Sequence, residues 1–226
     1  MNTDILLGKT TEHLVPLEGT NVFLHKDIIR DFNKLKQAAS EEGFQIEVAS
    51  GFRSFDRQKL IWDSKARGER KLLDDHGQEL NFSDLSPKEI MYSILRWSAL
   101  PGASRHHWGT DFDVFNGKTQ SKEEVELTTA ECTGNGPAAE FHDWLDFQIS
   151  QKASFGFYRP YREELGGVAP ERWHLSYSRL SDKYIVEYTY SLFRKNIEEN
   201  DFLLKDLLLE HSQEIFERYF LNISAP

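Results

Sequence analysis

Two short stretches of this chain carry residues whose types and spacing suit metal chemistry. The first, Ser104-Arg105-His106-His107-Trp108-Gly109-Thr110-Asp111-Phe112-Asp113, sets an imidazole and a carboxylate seven residues apart with a glycine between them. A zinc ion takes nitrogen or oxygen ligands at about 2.0–2.2 Å, commonly three from the protein, and keeps one position open for water. His106 and Asp113 can supply two of those ligands if the chain reverses at Gly109 and returns as a strand over 111–115. The second stretch, Glu171-Arg172-Trp173-His174, offers His174 as the third ligand and, three residues earlier, Glu171 as a general base. Asp111 and Asp113 fall on one face of the predicted strand, because strand side chains repeat every two residues. Asp111 therefore either orients a ligand histidine or lines the cleft.

These residues need a scaffold, and the periodicity supplies one. Ile28, Phe32, Leu35 and Ala39 recur at helical spacing over 26–42, and Gly43 marks a stop. Residues 44–50 alternate apolar and polar as a half-buried strand does. Gly51 breaks that strand, and Ser54 caps a helix running to about Ala66, so Arg53 sits at a strand-to-helix junction. Residues 67–85 read as a polar surface loop. Ser86-Pro87-Lys88-Glu89 has the form of a capping box opening a helix through Trp97. Residues 116–137 look irregular, a helix spans about 138–154, and a strand covers 173–177. Beyond Ser181, residues 182–222 read as two helices broken near Asn200-Asp201. The second presents Leu204, Leu207, Leu208, His211, Ile215, Tyr219 and Phe220 on one face. It packs on the core or on a second copy of the chain, and a homodimer through these helices follows from the second option. The mixture of few strands and several helices predicts an α+β fold with a small antiparallel sheet. We divide it into a catalytic domain over 1–181 and a helical extension over 182–226.

A chain of 226 residues with 39% hydrophobic side chains can bury a substantial core. The net charge of −10 excludes a general nucleic-acid surface, which needs clustered Lys and Arg. No run approaches the ~20 apolar residues of a membrane span. The single cysteine, Cys132, excludes an internal disulfide. The first seventeen residues lack the basic start and apolar run of a signal peptide. If Met1 is the natural start, the protein works in the cytoplasm; if a leader has been removed, it works in the periplasm or outside the cell.

Ser104, His106, Gly109 and Asp113 match the pattern S-x-H-x-x-G-x-x-x-D, and Glu171, Trp173 and His174 match E-x-W-H. Together they resemble the VanY-type zinc D-Ala-D-Ala carboxypeptidases of the LAS group, which includes the VanX dipeptidases and shares its fold with the hedgehog signalling domain. Ser50-Gly51-Phe52-Arg53-Ser54-Phe55-Asp56-Arg57-Gln58 resembles the S-G-Y-R-S-x-x-x-Q segment that precedes the first zinc motif. The three pieces stand in the family's order and cover roughly 27–177. One departure is Asp111, where the family often has alanine.

The resemblance implies one zinc ion per chain on His106, Asp113 and His174, with Glu171 as the catalytic base. The motif spacing selects His106 over His107, which is left to packing or to support. Arg53 would hold the substrate's terminal carboxylate, since a planar guanidinium fork matches it. Ser104 would bond the terminal residue, and Gln58 would line the same pocket. The implied activity is release of C-terminal D-Ala from peptidoglycan stem peptides or muropeptides. The missing leader leans towards an L,D-carboxypeptidase that trims tetrapeptide to tripeptide in cell-wall recycling, with a D,D-carboxypeptidase as the alternative. An endopeptidase is disfavoured by Arg53, because its substrate has no terminal carboxylate there. A catalytically silent zinc-binding module is disfavoured by Glu171.

Overall fold

The computed structural model describes residues 2–226. A short helix α1 (Thr3–Leu6) precedes a two-stranded ribbon, β1 (Leu14–Pro16) and β2 (Phe23–His25). Helix α2 (Ile29–Glu41) and strand β3 (Ile46–Ser50) follow, then α3 (Phe55–Ala66), where the Ser54 side chain accepts from the Arg57 amide as an N-cap. Helix α4 (Pro87–Trp97) opens on the capping box of Ser86 and Glu89. Next come β4 (Asp111–Asn116), the single turn α5 (Thr129–Cys132), α6 (Ala139–Ser150), β5 (Phe157–Tyr158) and β6 (His174–Tyr177). The chain ends in α7 (Ser178–Glu187), α8 (Tyr190–Glu199), α9 (Lys205–Glu210), α10 (Ser212–Ile215) and a π-helical turn over Phe216–Leu221.

Strands β3, β4, β6 and β5 form one antiparallel sheet in that order, so the predicted α+β class holds. The alternation along β4 and β6 divides its two faces. Phe112, Val114, Leu175 and Tyr177 point to one side and join Phe32 and Leu35 of α2 and Phe141 and Leu145 of α6 in an apolar cluster. Asp111, Asp113, His174 and Ser176 point to the other side, and all four are buried. A second cluster gathers Trp62 of α3, Met91 and Ile94 of α4, Trp108 and the C-terminal helices.

Several boundaries differ from the expectation. Strand β3 begins at Ile46 because the amide of Phe44 is bound to the Ala39 carbonyl, closing the end of α2. The loop over 67–85 is anchored as well as exposed: Leu72 is buried in the second cluster, and Leu73 and Glu79 form a bridge. The region beyond Ser181 is not two helices. Thr189 accepts from the Leu192 amide and so starts a new helix at α8, while Leu204 adopts a left-handed φ of 66° before α9. The wider π turn brings Phe216 and Phe220 into a stack, with ring centroids 5.3 Å apart. No helix among the described residues is long and apolar enough to cross a membrane.

Candidate active site

The register of β4 against β6 sets Asp113 opposite His174 and Asp111 opposite Ser176. His106 arrives from the 3-10 turn Arg105–Trp108, which Gly109 closes at φ 67°. A Cβ at Gly109 would lie 2.5 Å from Leu14 Cδ2 and 2.9 Å from the His25 amide nitrogen, so only glycine lets the ribbon pack this closely. His106 Nδ1 meets the Gly51 carbonyl at 2.9 Å. A carbonyl only accepts, so Nδ1 carries the proton and Nε2 turns its lone pair to Asp113, 3.6 Å away. His174 is held the other way round. Its Nε2 donates to Asp111 at 3.2 Å, leaving Nδ1 3.3 Å from Asp113 Oδ1.

This arrangement fits a zinc ion. Asp113 Oδ1 and His174 Nδ1 are both buried without a hydrogen-bond partner, which is costly unless something else occupies them. The donor atoms of His106, Asp113 and His174 all lie within 4.8 Å of one another. His174 Nδ1 stands 3.3 Å from Asp113 Oδ1 and His106 Nε2 3.6 Å from Asp113 Oδ2, close to the roughly 3.4 Å that separates two ligands each about 2.1 Å from a tetrahedral zinc ion. Burial holds the His106 pKa down to about 4, against the opposing pull of Asp113, so the ring is a neutral donor. For His174, burial disfavours the charged form, but the hydrogen bond to Asp111 and the nearby carboxylates of Asp113 and Glu171 raise its pKa well above the ordinary value. That many carboxylates around one imidazole call for positive charge, which a divalent cation supplies in place of a proton.

Glu171 Oε2 lies 3.5 Å from His174 Nδ1. Burial raises the Glu171 pKa, and the negative charge of Asp113 adds to the rise, which suits a group that must take up a proton and give it back. The site opens on a cleft of about 330 Å³ lined by Arg53, Ser104, His106, Asp113, Glu171 and His174 among others. A larger groove of about 1030 Å³ lies beyond Leu73, between α4 and the C-terminal segment. It holds none of these residues, so chemistry, not size, identifies the smaller cleft.

Arg53 projects from the β3–α3 junction into the cleft, and among the described residues its guanidinium hydrogen-bonds only to neutral side chains, while Asp113 and Glu171 act on it through space. It donates to Gln58 Oε1 at 2.9 Å and to Ser50 Oγ at 3.3 Å. Gln58 itself is fully buried, and its amide also donates to the Ala99 carbonyl at 2.7 Å. It braces Arg53 rather than lining the pocket, a correction to the expectation. His107 is a support: Nε2 accepts from the Gly102 amide at 2.9 Å, and Nδ1 donates to the Arg53 carbonyl at 2.6 Å. His13, His25, His142 and His76 lie outside the donor set.

Three features of the site were not legible in the sequence. Asp111 takes the orienting role of the two weighed for it, and its partner is Arg105, whose Nε donates to Asp111 Oδ1 at 2.7 Å in a fully buried pair. Tyr161 lies in the cleft with its ring centroid 4.9 Å from that of His174, and burial keeps its phenol protonated. Lys65 and Arg70 also line the cleft. The strand period puts Asp111 on the Asp113 face, but no local spacing announces its Arg105 partner, Tyr161, Lys65 or Arg70, which reach the site only through tertiary folding.

The fold and the donor set are those of a metal-dependent peptidase. Residues 21–180 match the family model of VanY, D-alanyl-D-alanine carboxypeptidase, and the chain belongs to that family. It is 45% identical over 103 residues to an uncharacterized protein of Haemophilus influenzae, covering 44% of this chain and 70% of that one. It is 29% identical over 146 residues to a D-alanyl-D-alanine carboxypeptidase of Enterococcus faecalis, covering 63% of this chain and 44% of the relative. Among solved structures, the VanY D,D-pentapeptidase of a VanB-type vancomycin resistance cassette, a Glu-to-Ala variant in complex with Zn(II), superposes with a TM-score of 0.51 at 25% identity. That match covers 77% of this chain and 86% of the other.

Proposed function

We propose that the protein is a zinc carboxypeptidase that releases a C-terminal D-Ala from peptidoglycan stem peptides. The observation that carries the reading is the pairing of two features in one cleft: the His106, Asp113 and His174 donor set, and an arginine, Arg53, that forms no ion pair among the described residues. Those three residues would hold zinc, which when bound would supply a Lewis acid for the scissile carbonyl and a lowered pKa for water. Glu171 takes the proton of the attacking water and delivers it to the departing amine. Arg53, backed by Gln58, clamps the terminal carboxylate with its bidentate fork, and Ser104 bonds the terminal residue. Asp111 keeps His174 in the tautomer that leaves Nδ1 free for the metal. Tyr161, packed against His174, supplies a protonated phenol in the cleft.

Of the two bonds available, we place the L,D cut of the tetrapeptide first. Its support is chemical. A tetrapeptide sets a long side chain that can carry a carboxylate beside the scissile bond, and the cleft wall near Arg53 carries Lys65 and Arg70. A pentapeptide sets a methyl group there. The D,D cut is the second reading, favoured by the description of the matching family model. Metal-loaded protein is incubated with defined tripeptide, tetrapeptide and pentapeptide stems, and the products are weighed by mass spectrometry. Tetrapeptide should be trimmed with the higher kcat/KM. A tenfold preference for pentapeptide, about 1.4 kcal/mol in transition-state binding, reverses the choice. Release of D-Ala from neither stem removes the reading altogether.

A further inference from the structure

Arginines on this acidic protein are mostly ion-paired: Arg96 with Glu164, Arg105 with Asp111, Arg159 and Arg172 with Asp146. Lys65 and Arg70 are different. Among the described residues neither forms an ion pair, and the Lys65 ammonium donates only to Ser98 Oγ, at 2.8 Å. Both line the cleft that holds Arg53 and Glu171. Lys65 stands half-buried in the last turn of α3, and Arg70 is exposed a few residues further on.

The charge balance of the cleft makes this informative. A divalent cation on His106, Asp113 and His174 would compensate Asp113 and Glu171, and the Arg105–Asp111 pair is neutral within itself. Arg53, Lys65 and Arg70 then remain as uncompensated positive charges, whereas a terminal carboxylate neutralises only one. Burial, helped by the neighbouring charges of Arg53 and Arg70 and opposed by Glu171, lowers the Lys65 pKa to about 8. Cations that repel one another inside a partly buried cleft, on a chain of net charge −10, are stabilised by a ligand with more than one anionic group.

We propose that Lys65 and Arg70 form a second anion subsite, which selects peptides bearing a second carboxylate close to the scissile bond. The proposal rests on the carboxypeptidase reading and specifies its substrate class. Two sources of that carboxylate are chemically open: the side chain of the residue just before the terminal D-Ala, or the free α-carboxylate of a γ-linked glutamate one residue earlier. Charge-assisted hydrogen bonds from an ammonium and a guanidinium serve either one.

The test separates binding from turnover by using the zinc-loaded Glu171→Gln protein and isothermal titration. The ligands are stem peptides ending in D-Ala whose penultimate residue is diaminopimelate or lysine, which differ by a single carboxylate. A second pair has the preceding γ-linked glutamate as free acid or as amide. One of the two pairs should show about a tenfold tighter Kd for the free carboxylate, and the pair that does so identifies the source. That ratio should collapse in Lys65→Gln and Arg70→Gln proteins, and Lys65→Arg should keep most of it. Peptides that bind better than their C-terminal amides, yet equally with and without the second carboxylate, overturn the subsite and leave the carboxypeptidase reading standing. Equal binding of free-acid and C-terminal amide peptides removes the carboxypeptidase reading, and this proposal with it.

Discussion

Glu171 and Arg53 sit in the same cleft but should fail in different ways. Glu171→Gln keeps the His106, Asp113 and His174 donors, so it should retain zinc and fold while losing turnover by about 10²-fold or more, as expected for a lost general base. Metal content and stem-peptide hydrolysis measured on one preparation check this. Near-normal turnover in the zinc-loaded variant would assign the base elsewhere. Arg53→Ala should damage hydrolysis of free-acid peptides, and Arg53→Lys should recover only part of it, because an ammonium lacks the bidentate fork. Comparing a free-acid substrate with its C-terminal amide makes the assay internal: equal cleavage of both by the wild type points to an endopeptidase. Asp111 has two partners to lose. Asp111→Asn weakens the hold on His174 Nε2 and strips the charge from the buried Arg105 pair. Zinc affinity should fall by about 10–100-fold, read by competition with a chelating dye. Unchanged affinity would show that Asp111 orients nothing.

The elements that matter most are those holding the Pro101-Gly102 turn, which feeds Ser104 and His106 into the site. The C-terminal helices grip this turn from behind. Tyr188 donates to the Gly102 carbonyl at 2.6 Å, and Asn196 donates to the Pro101 carbonyl at 2.8 Å. From Gly102 the path continues through His107 to the Arg53 carbonyl, so elements far along the chain steady the carboxylate clamp. Tyr188→Phe removes one hydrogen bond and leaves a buried carbonyl unpaired, at a cost of about 1–3 kcal/mol, visible as a lower denaturation midpoint. Gly102→Ala should be worse. Its φ is 84°, and an added Cβ would lie 2.6 Å from the Asn196 side-chain nitrogen. A variant as stable as wild type would mean that the turn has slack to give. The C-terminal helices do not roof the cleft: every residue lining it comes from before Ser181.

At the scale of the whole molecule, the helices beyond Ser181 belong to the core. Tyr184, Tyr188, Phe193, Ile197, Phe216 and Phe220 are all buried against α3, α4 and Trp108. At about 1.5–3 kcal/mol for each buried side chain, their loss rivals the roughly 5–15 kcal/mol that stabilises a domain. A chain cut after Ser181 should therefore show no cooperative thermal transition by circular dichroism. Acid should act through Asp31, on the apolar side of the sheet. Hydrogen bonds from Lys34 and Tyr177 hold its pKa far below the usual carboxylate range. A carboxylate with a depressed folded pKa contributes stability above its unfolded value of about 3.9, and loses it as pH falls towards the folded value. Asp31→Asn should thus be less stable than wild type at pH 7, with the gap narrowing as pH falls below 4. Urea midpoints across that range check the sign.

The sequence by itself determined the local pieces. Gly109 between His106 and Asp113, the Ser54 cap and the Ser86–Glu89 box all act over a few residues, so spacing and residue type sufficed to place α3, α4, β4 and the metal-ligand candidates. The motifs brought the family with them, because their spacing reflects one metal geometry. Tertiary structure decided everything that depends on contact between distant segments. It made Gln58 a brace instead of a pocket wall, paired Arg105 with Asp111, and brought Tyr161, Lys65 and Arg70 to the cleft. It also divided the C-terminal region into four helices and a π turn. Some of these contacts join segments tens of residues apart, as Gln58 with Ala99, and others join a turn to the element that follows it, as Arg105 with Asp111; no hydrophobic period or capping signal records either kind. They follow from which faces must be buried together once the sheet has set Asp113 beside His174.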